Sequence, residues 1–137
     1  MGGDSMKITA DTNILLRGAA LDDPRQVQLA AKELREAELV AIPLAALCEF
    51  VWVLRRGYKR RNSEVAQSIR ALISSANVAT DYAAVEAGLA TLEAGGDFAD
   101  GAIAHEGAWL GAEEFVSFDK EAVDLLTSQG VRARLLF

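Results

Sequence analysis

The chain has 137 residues, of which 51% are hydrophobic and 25% charged, with a net charge of −6 and a pI near 4.8. That is the composition of a globular chain rather than a disordered one, and at roughly 150 residues per domain it implies one domain, 1–137. Cys48 is the only cysteine, which excludes an intrachain disulfide and fits a reducing, cytoplasmic setting.

No apolar run reaches the ~18 residues of a membrane span. Met1–Ser5 lacks the basic-then-apolar order of a signal peptide, so residues 1–5 read as a flexible or artificial N-terminal extension. Lys7–Ala10 is a short β-prone run that ends at Asp11, and helical character follows from Thr12 through Ala20. Pro24 suits the first turn of a helix carrying Val27, Leu29 to Ala31, Leu34 and Ala37. Glu38–Ile42 reads as a second strand, and Pro43 stops it and opens a helix from Leu44 to about Arg56, which Gly57 ends. Ser63 is placed to cap a helix through Ser75, with Val65, Ala66, Ile69, Leu72 and Ile73 at helical spacing. Asn77–Thr80 is a weak strand candidate. Asp81–Glu93 is helical and closed by Gly95 and Gly96, and Asp97 starts a helix running to about Leu110. Glu114–Phe118 is a strand, Lys120–Gln129 a helix and Val131–Phe137 a last strand.

Strands alternating with helices predict an α/β fold: a three-layer α/β/α arrangement around a mostly parallel sheet of four to five strands. Sites in such sheets lie beyond the carboxyl ends of the strands, and carboxylates occupy those positions here. Asp11 follows the first strand, and Asp119 follows Ser117 and Phe118 at the end of the fourth. Asp97 and Asp100 share a face at the start of one helix. Helix capping explains Asp11, Asp97 and Asp119 equally well, and a first-turn dipole contact explains Asp100. Glu49 interrupts the apolar run Ile42–Leu54, so it is expected to be buried and to need a cation, a proton or a partner. As a set, oxygen-only ligands suit Mg²⁺ or Mn²⁺.

These residues resemble a known family. Asp11-Thr12-Asn13, Glu49 in the following apolar helix, Asp97-Phe98-Ala99-Asp100-Gly101-Ala102-Ile103-Ala104 and Ser117-Phe118-Asp119-Lys120 look like a PIN domain. More narrowly they look like a VapC-type toxin of a bacterial toxin–antitoxin pair, over nearly the whole chain. The resemblance implies a metal-dependent endoribonuclease acting on single-stranded or loop RNA by in-line attack of water, leaving a 5′-phosphate and a 3′-hydroxyl. It maps a catalytic, metal-binding quartet onto Asp11, Glu49, Asp100 and Asp119, with Asp97 as a further acidic ligand position and one or two Mg²⁺ or Mn²⁺ ions. Thr12, Asn13 and Ser117 match supporting polar positions. The implied partners are RNA, an antitoxin protein and a second copy of the chain. Gly101 stands where the family often carries alanine, and Ser117 where threonine is common. A housekeeping RNA-processing nuclease and a catalytically inactive binding module are the alternatives. A haloacid-dehalogenase-type phosphotransferase needs a second aspartate at Asn13 and is disfavoured.

Five of the 14 basic residues, Arg55, Arg56, Lys59, Arg60 and Arg61, lie within seven positions. A solvated helix end explains such a run. Next to a nuclease site it reads as an RNA-backbone contact, with docking of an acidic antitoxin segment as the competing role. His105 is about 140° round its helix from Asp100 and is given no ligand role. Cys48 reads as a buried small hydrophobe. Trp52 and Trp109 read as core or subunit-interface residues rather than base-stacking platforms.

Overall fold

Short strands followed at once by helix-opening residues set the frame of both parts of the chain. The computed structural model describes residues 6–19 and 23–137. The expected extension at 1–5 and the end of the first predicted helix at Ala20 lie outside them. The chain divides into two compact units, Met1–Thr80 and Asp81–Phe137.

In the first unit, β1 (Lys7–Thr9), β2 (Leu39–Ala41) and β3 (Val78–Ala79) form a parallel sheet in the order β1-β2-β3, with Ile8 opposite Val40 and Val40 opposite Val78. Parallel neighbours need crossovers. The first is α1 (Thr12–Ala19) with α2 (Pro24–Glu36). The second is α3 (Leu44–Trp52), a π-helical turn (Val53–Gly57) and α4 (Asn62–Ile73). Leu15, Val40, Leu47, Phe50, Leu54, Val65 and Ile69 are each no more than 1% exposed and form the core. Each contributes about 1.5–3 kcal/mol by leaving water. Asp23 caps α2 through Oδ1, which accepts from the N–H groups of Arg25 (3.1 Å) and Gln26 (3.2 Å), ahead of Pro24 in the first turn. The expected Ser63 cap is not formed. α4 starts two residues earlier, at Asn62 after Arg61, and the Glu64 side chain reaches back to accept from the Arg61 N–H at 2.9 Å.

In the second unit, α5 (Tyr82–Glu93) and α6 (Phe98–Trp109) pack against each other, and β4 (Phe115–Ser117), α7 (Lys120–Ser128) and β5 (Ala133–Leu135) make a β-α-β unit with a two-stranded parallel sheet. Val85, Leu89, Leu92, Phe98 and Leu126 are buried. α5 ends as the glycine pair predicts: Gly95, at φ +100°, donates to the Leu92 carbonyl (3.0 Å) and Gly96 to that of Thr91 (2.9 Å), closing the helix and aiming the chain into α6. Among the described residues every strand pairing is parallel, as expected for an α/β chain, and the five strands pair as a set of three and a set of two. Among the described residues, no helix is long and apolar enough to cross a membrane.

Candidate functional site

The second unit gathers three of the predicted acids. Asp97 immediately precedes α6, and its Oδ1 accepts the Ala99 N–H at 3.1 Å. Asp119 lies two residues past β4. Its Oδ1 accepts the Ala122 N–H at 3.2 Å to cap α7, and its own N–H donates to Ser117 Oγ at 2.9 Å. Capping is thus real at both positions, and it commits one oxygen of each carboxylate while fixing the direction of the other. Asp100, in the first turn of α6, is different: it is half-buried, and among the described residues its carboxylate accepts no hydrogen bond and joins no ion pair. Burial first, then the charges of Asp97 and Asp119, push its carboxyl above the usual carboxylate value. Asp97 and Asp119 therefore stand within electrostatic reach of Asp100.

The first unit carries Asp11, just past the carboxyl end of β1, and Glu49, in the second turn of the helix that follows β2. The ladder runs one residue past β1, with the Ala10 N–H on the Ala41 carbonyl at 2.9 Å, and Asp11 is next. Its exposed carboxylate accepts the Asn13 N–H at 2.7 Å, and its carbonyl accepts from Ile14 and Leu15 to start α1. Asn13 thus supports Asp11 through its backbone, while Thr12 is buried as the first residue of α1. Glu49 corrects the expectation of burial, since its side chain is exposed. α3 buries Leu47, Phe50 and Val51, with Leu54 one turn on, and Ala45, Glu49 and Trp52 fall on the opposite, solvent-facing side. A run of apolar letters overstated how much of the helix is covered.

The donors are oxygens, the type Mg²⁺ and Mn²⁺ take. Mg²⁺ is commonly held by one or two protein carboxylates, with water and phosphate completing its shell. An unpartnered, half-buried Asp100 flanked by two further carboxylates fits that requirement in kind. Among the described residues, no group of three or more His, Cys, Asp and Glu side chains is drawn together tightly enough to hold a metal ion.

The basic segment is an ordered loop. After the π-helical turn, the Tyr58 N–H donates to the Val53 carbonyl (3.2 Å) and the Arg60 N–H to that of Leu54 (3.0 Å). The Arg55 guanidinium donates to the Arg60 carbonyl at 2.8 Å across the loop. Lys59 at its apex has φ 58°, in the left-handed region that L side chains other than Asn and Asp seldom adopt. Glu64 faces the Arg61 side of the segment: Arg61 Nε is 3.6 Å from Glu64 Oε1, and the Arg61 backbone N–H and the Arg61 and Arg60 charges lower the Glu64 pKa against an opposing effect of burial. No signal in the sequence marks Lys59 as left-handed, because glycine is the usual residue there.

Other side chains move from their expected places. Trp52 is 61% and Trp109 84% exposed, so neither is core. Trp52 lies on the solvent-facing side of α3, and Trp109 is the last residue of α6. Cys48 is half-buried rather than enclosed, because the covered face of α3 is centred on Leu47 and Phe50. His105 lines a cavity of about 470 Å³ in the second unit with Ala104, Ala108, Phe115, Leu126 and Gln129, and none of Asp97, Asp100 and Asp119 lines it. No protein-family model matches the chain, and no curated protein sequence matches it.

Proposed function

We propose that the chain is a metal-dependent endoribonuclease of the PIN type, the toxin of a toxin–antitoxin pair. The observation that carries this reading is Asp100: a half-buried carboxylate without a donor among the described residues, its proton affinity raised by burial and by two neighbouring aspartates. An arrangement that leaves an anion desolvated and crowded by like charges is unfavourable for folding alone, and a divalent cation relieves it. The positions of Asp11 and Asp119, two residues past the ends of β1 and β4, agree with the same reading.

The roles follow the resemblance. In the second unit Asp100 and Asp119 would supply ligand oxygens, with Asp97 as a further one; Asp11 and Glu49, in the first unit, are the other two ligand positions that the resemblance assigns. Ser117 holds the backbone of Asp119, and the caps on α6 and α7 hold Asp97 and Asp119 by one oxygen each. A bound Mg²⁺ or Mn²⁺ supplies a Lewis acid that neutralises charge developing on a phosphate oxygen. The reading brings with it a single PIN-like sheet, an RNA substrate, an antitoxin, a homodimer and a cytoplasmic setting.

The test is cleavage of end-labelled single-stranded RNA with Mg²⁺ or Mn²⁺, in the wild type and in Asp100→Asn. We expect cutting that chelator abolishes and that Asp100→Asn lowers about 100-fold or more. RNA left intact by pure wild-type protein with either metal would overturn the enzymatic reading.

A further inference from the structure

We propose that the loop after α3 is a preformed seat for the phosphate backbone of single-stranded RNA, gripped by Arg55, Arg56 and Lys59. The inference rests on the endoribonuclease reading for the identity of the polyanion, and on its own geometry for the site.

Residues 55–64 carry five cations and one anion, in a chain whose net charge is −6. The single acid, Glu64, serves Arg61 and Arg60. Among the described residues no carboxylate pairs with Arg55, Arg56 or Lys59, and all three are exposed. A concentration of unneutralised charge on an otherwise acidic chain is a localised attractor for a polyanion.

The loop also does not have to be ordered by its ligand. Two backbone hydrogen bonds and the Arg55–Arg60 bridge close it, and Lys59 is held at its apex in a conformation unusual for lysine. Strained residues of this sort persist where the surroundings over-determine them, and π-helical turns are often found at functional sites. Arg55 donates to a neutral carbonyl and so keeps its full charge. Binding through phosphates is indifferent to base identity, so a seat built from cations alone needs no base-reading side chain.

The experiment measures binding of a fluorescein-labelled single-stranded RNA in chelator, where cleavage cannot interfere, against salt. The full chain is compared with an Arg56→Gln/Lys59→Asn variant, which removes two charges while leaving the Arg55–Arg60 bridge in place; asparagine accepts the left-handed backbone. Three phosphate contacts give a log–log salt slope of about 2, so wild-type affinity falls about 20-fold from about 50 to about 200 mM salt. The variant's slope should drop by about 1.4, leaving about a threefold fall over the same range. Equal affinities and slopes for the two proteins would overturn the proposal. So would a variant that keeps RNA binding but loses binding to a poly-glutamate peptide, which would make the loop a protein-docking surface. The two readings separate cleanly. Salt-dependent binding lost in the variant, with no cleavage under any metal, leaves the seat standing and removes the nuclease. Metal-dependent cleavage with unchanged binding does the reverse.

Discussion

At Asp100 the side chain sets a stability trade. Its folded-state pKa lies above the usual carboxylate value, owing to burial and then to Asp97 and Asp119. The native protein therefore binds this proton more tightly than the unfolded chain does. The associated stabilisation is present at low pH and is lost as pH rises from the ordinary carboxylate range through the raised value. Asp100→Asn should accordingly melt higher than the wild type at about pH 7 without metal, and the difference should vanish below about pH 3; a wild type that melts higher at both pH values would contradict this electrostatic account. Glu49 is the opposite case. Its exposed side chain joins no ion pair among the described residues, so Glu49→Ala should change unfolding free energy by less than about 0.5 kcal/mol in a urea titration. Loss of cleavage in that stable protein would then report chemistry alone.

Helix ends and helix contacts decide what the acidic elements tolerate. Asp119 caps α7 through one oxygen, a task asparagine performs as well. Asp119→Ala should lower stability by about 1 kcal/mol and Asp119→Asn by little, whereas both should lose cleavage. Comparing their melting curves isolates the cap from the charge. Where α6 meets α5, Gly101 allows the backbones to touch: an added Cβ would fall on the Thr91 hydroxyl and the Ala87 carbonyl. An alanine at this position therefore does not fit this pair of helices. Gly101→Ala should destabilise by about 1–3 kcal/mol. Gly107→Ala on the same helix, where a Cβ meets only Ala112 at 4.0 Å, should hold stability or raise it by about 0.5–1 kcal/mol.

Over the whole molecule, the −6 net charge and the cationic loop assign opposite tasks to different surfaces. Net acidity opposes non-specific polyanion binding, so under the proposed reading RNA affinity would come from the local cluster at Arg55–Arg61 and from a cation held by the acids. If the acids hold Mg²⁺, occupancy stabilises the folded state by mass action. Mg²⁺ at about 100 times its dissociation constant adds about 2.7 kcal/mol, roughly 10 °C in melting temperature for a chain of this size. Scanning calorimetry of the wild type and Asp100→Asn checks this, with a shift expected for the wild type and little for the variant. Equal shifts in the two would place the ion elsewhere.

Much of this was legible in the residues alone. Hydrophobic spacing, Pro24, Pro43 and the Gly95-Gly96 pair located the helices to within a residue or two, because those signals act locally through φ restriction and capping. The placing of Asp11 and Asp119 after strand ends, and of Asp97 and Asp100 at a helix start, was likewise a matter of local sequence. Burial and mutual approach were not, since they depend on neighbours remote along the chain. Only the folded arrangement turned Glu49 and Trp52 to solvent, put Lys59 in a left-handed backbone, and left Asp100 half-buried beside Asp97 and Asp119. Periodicity names the face of a helix, but only packing decides how far that face is covered, and coverage sets the electrostatics of every carboxylate on it.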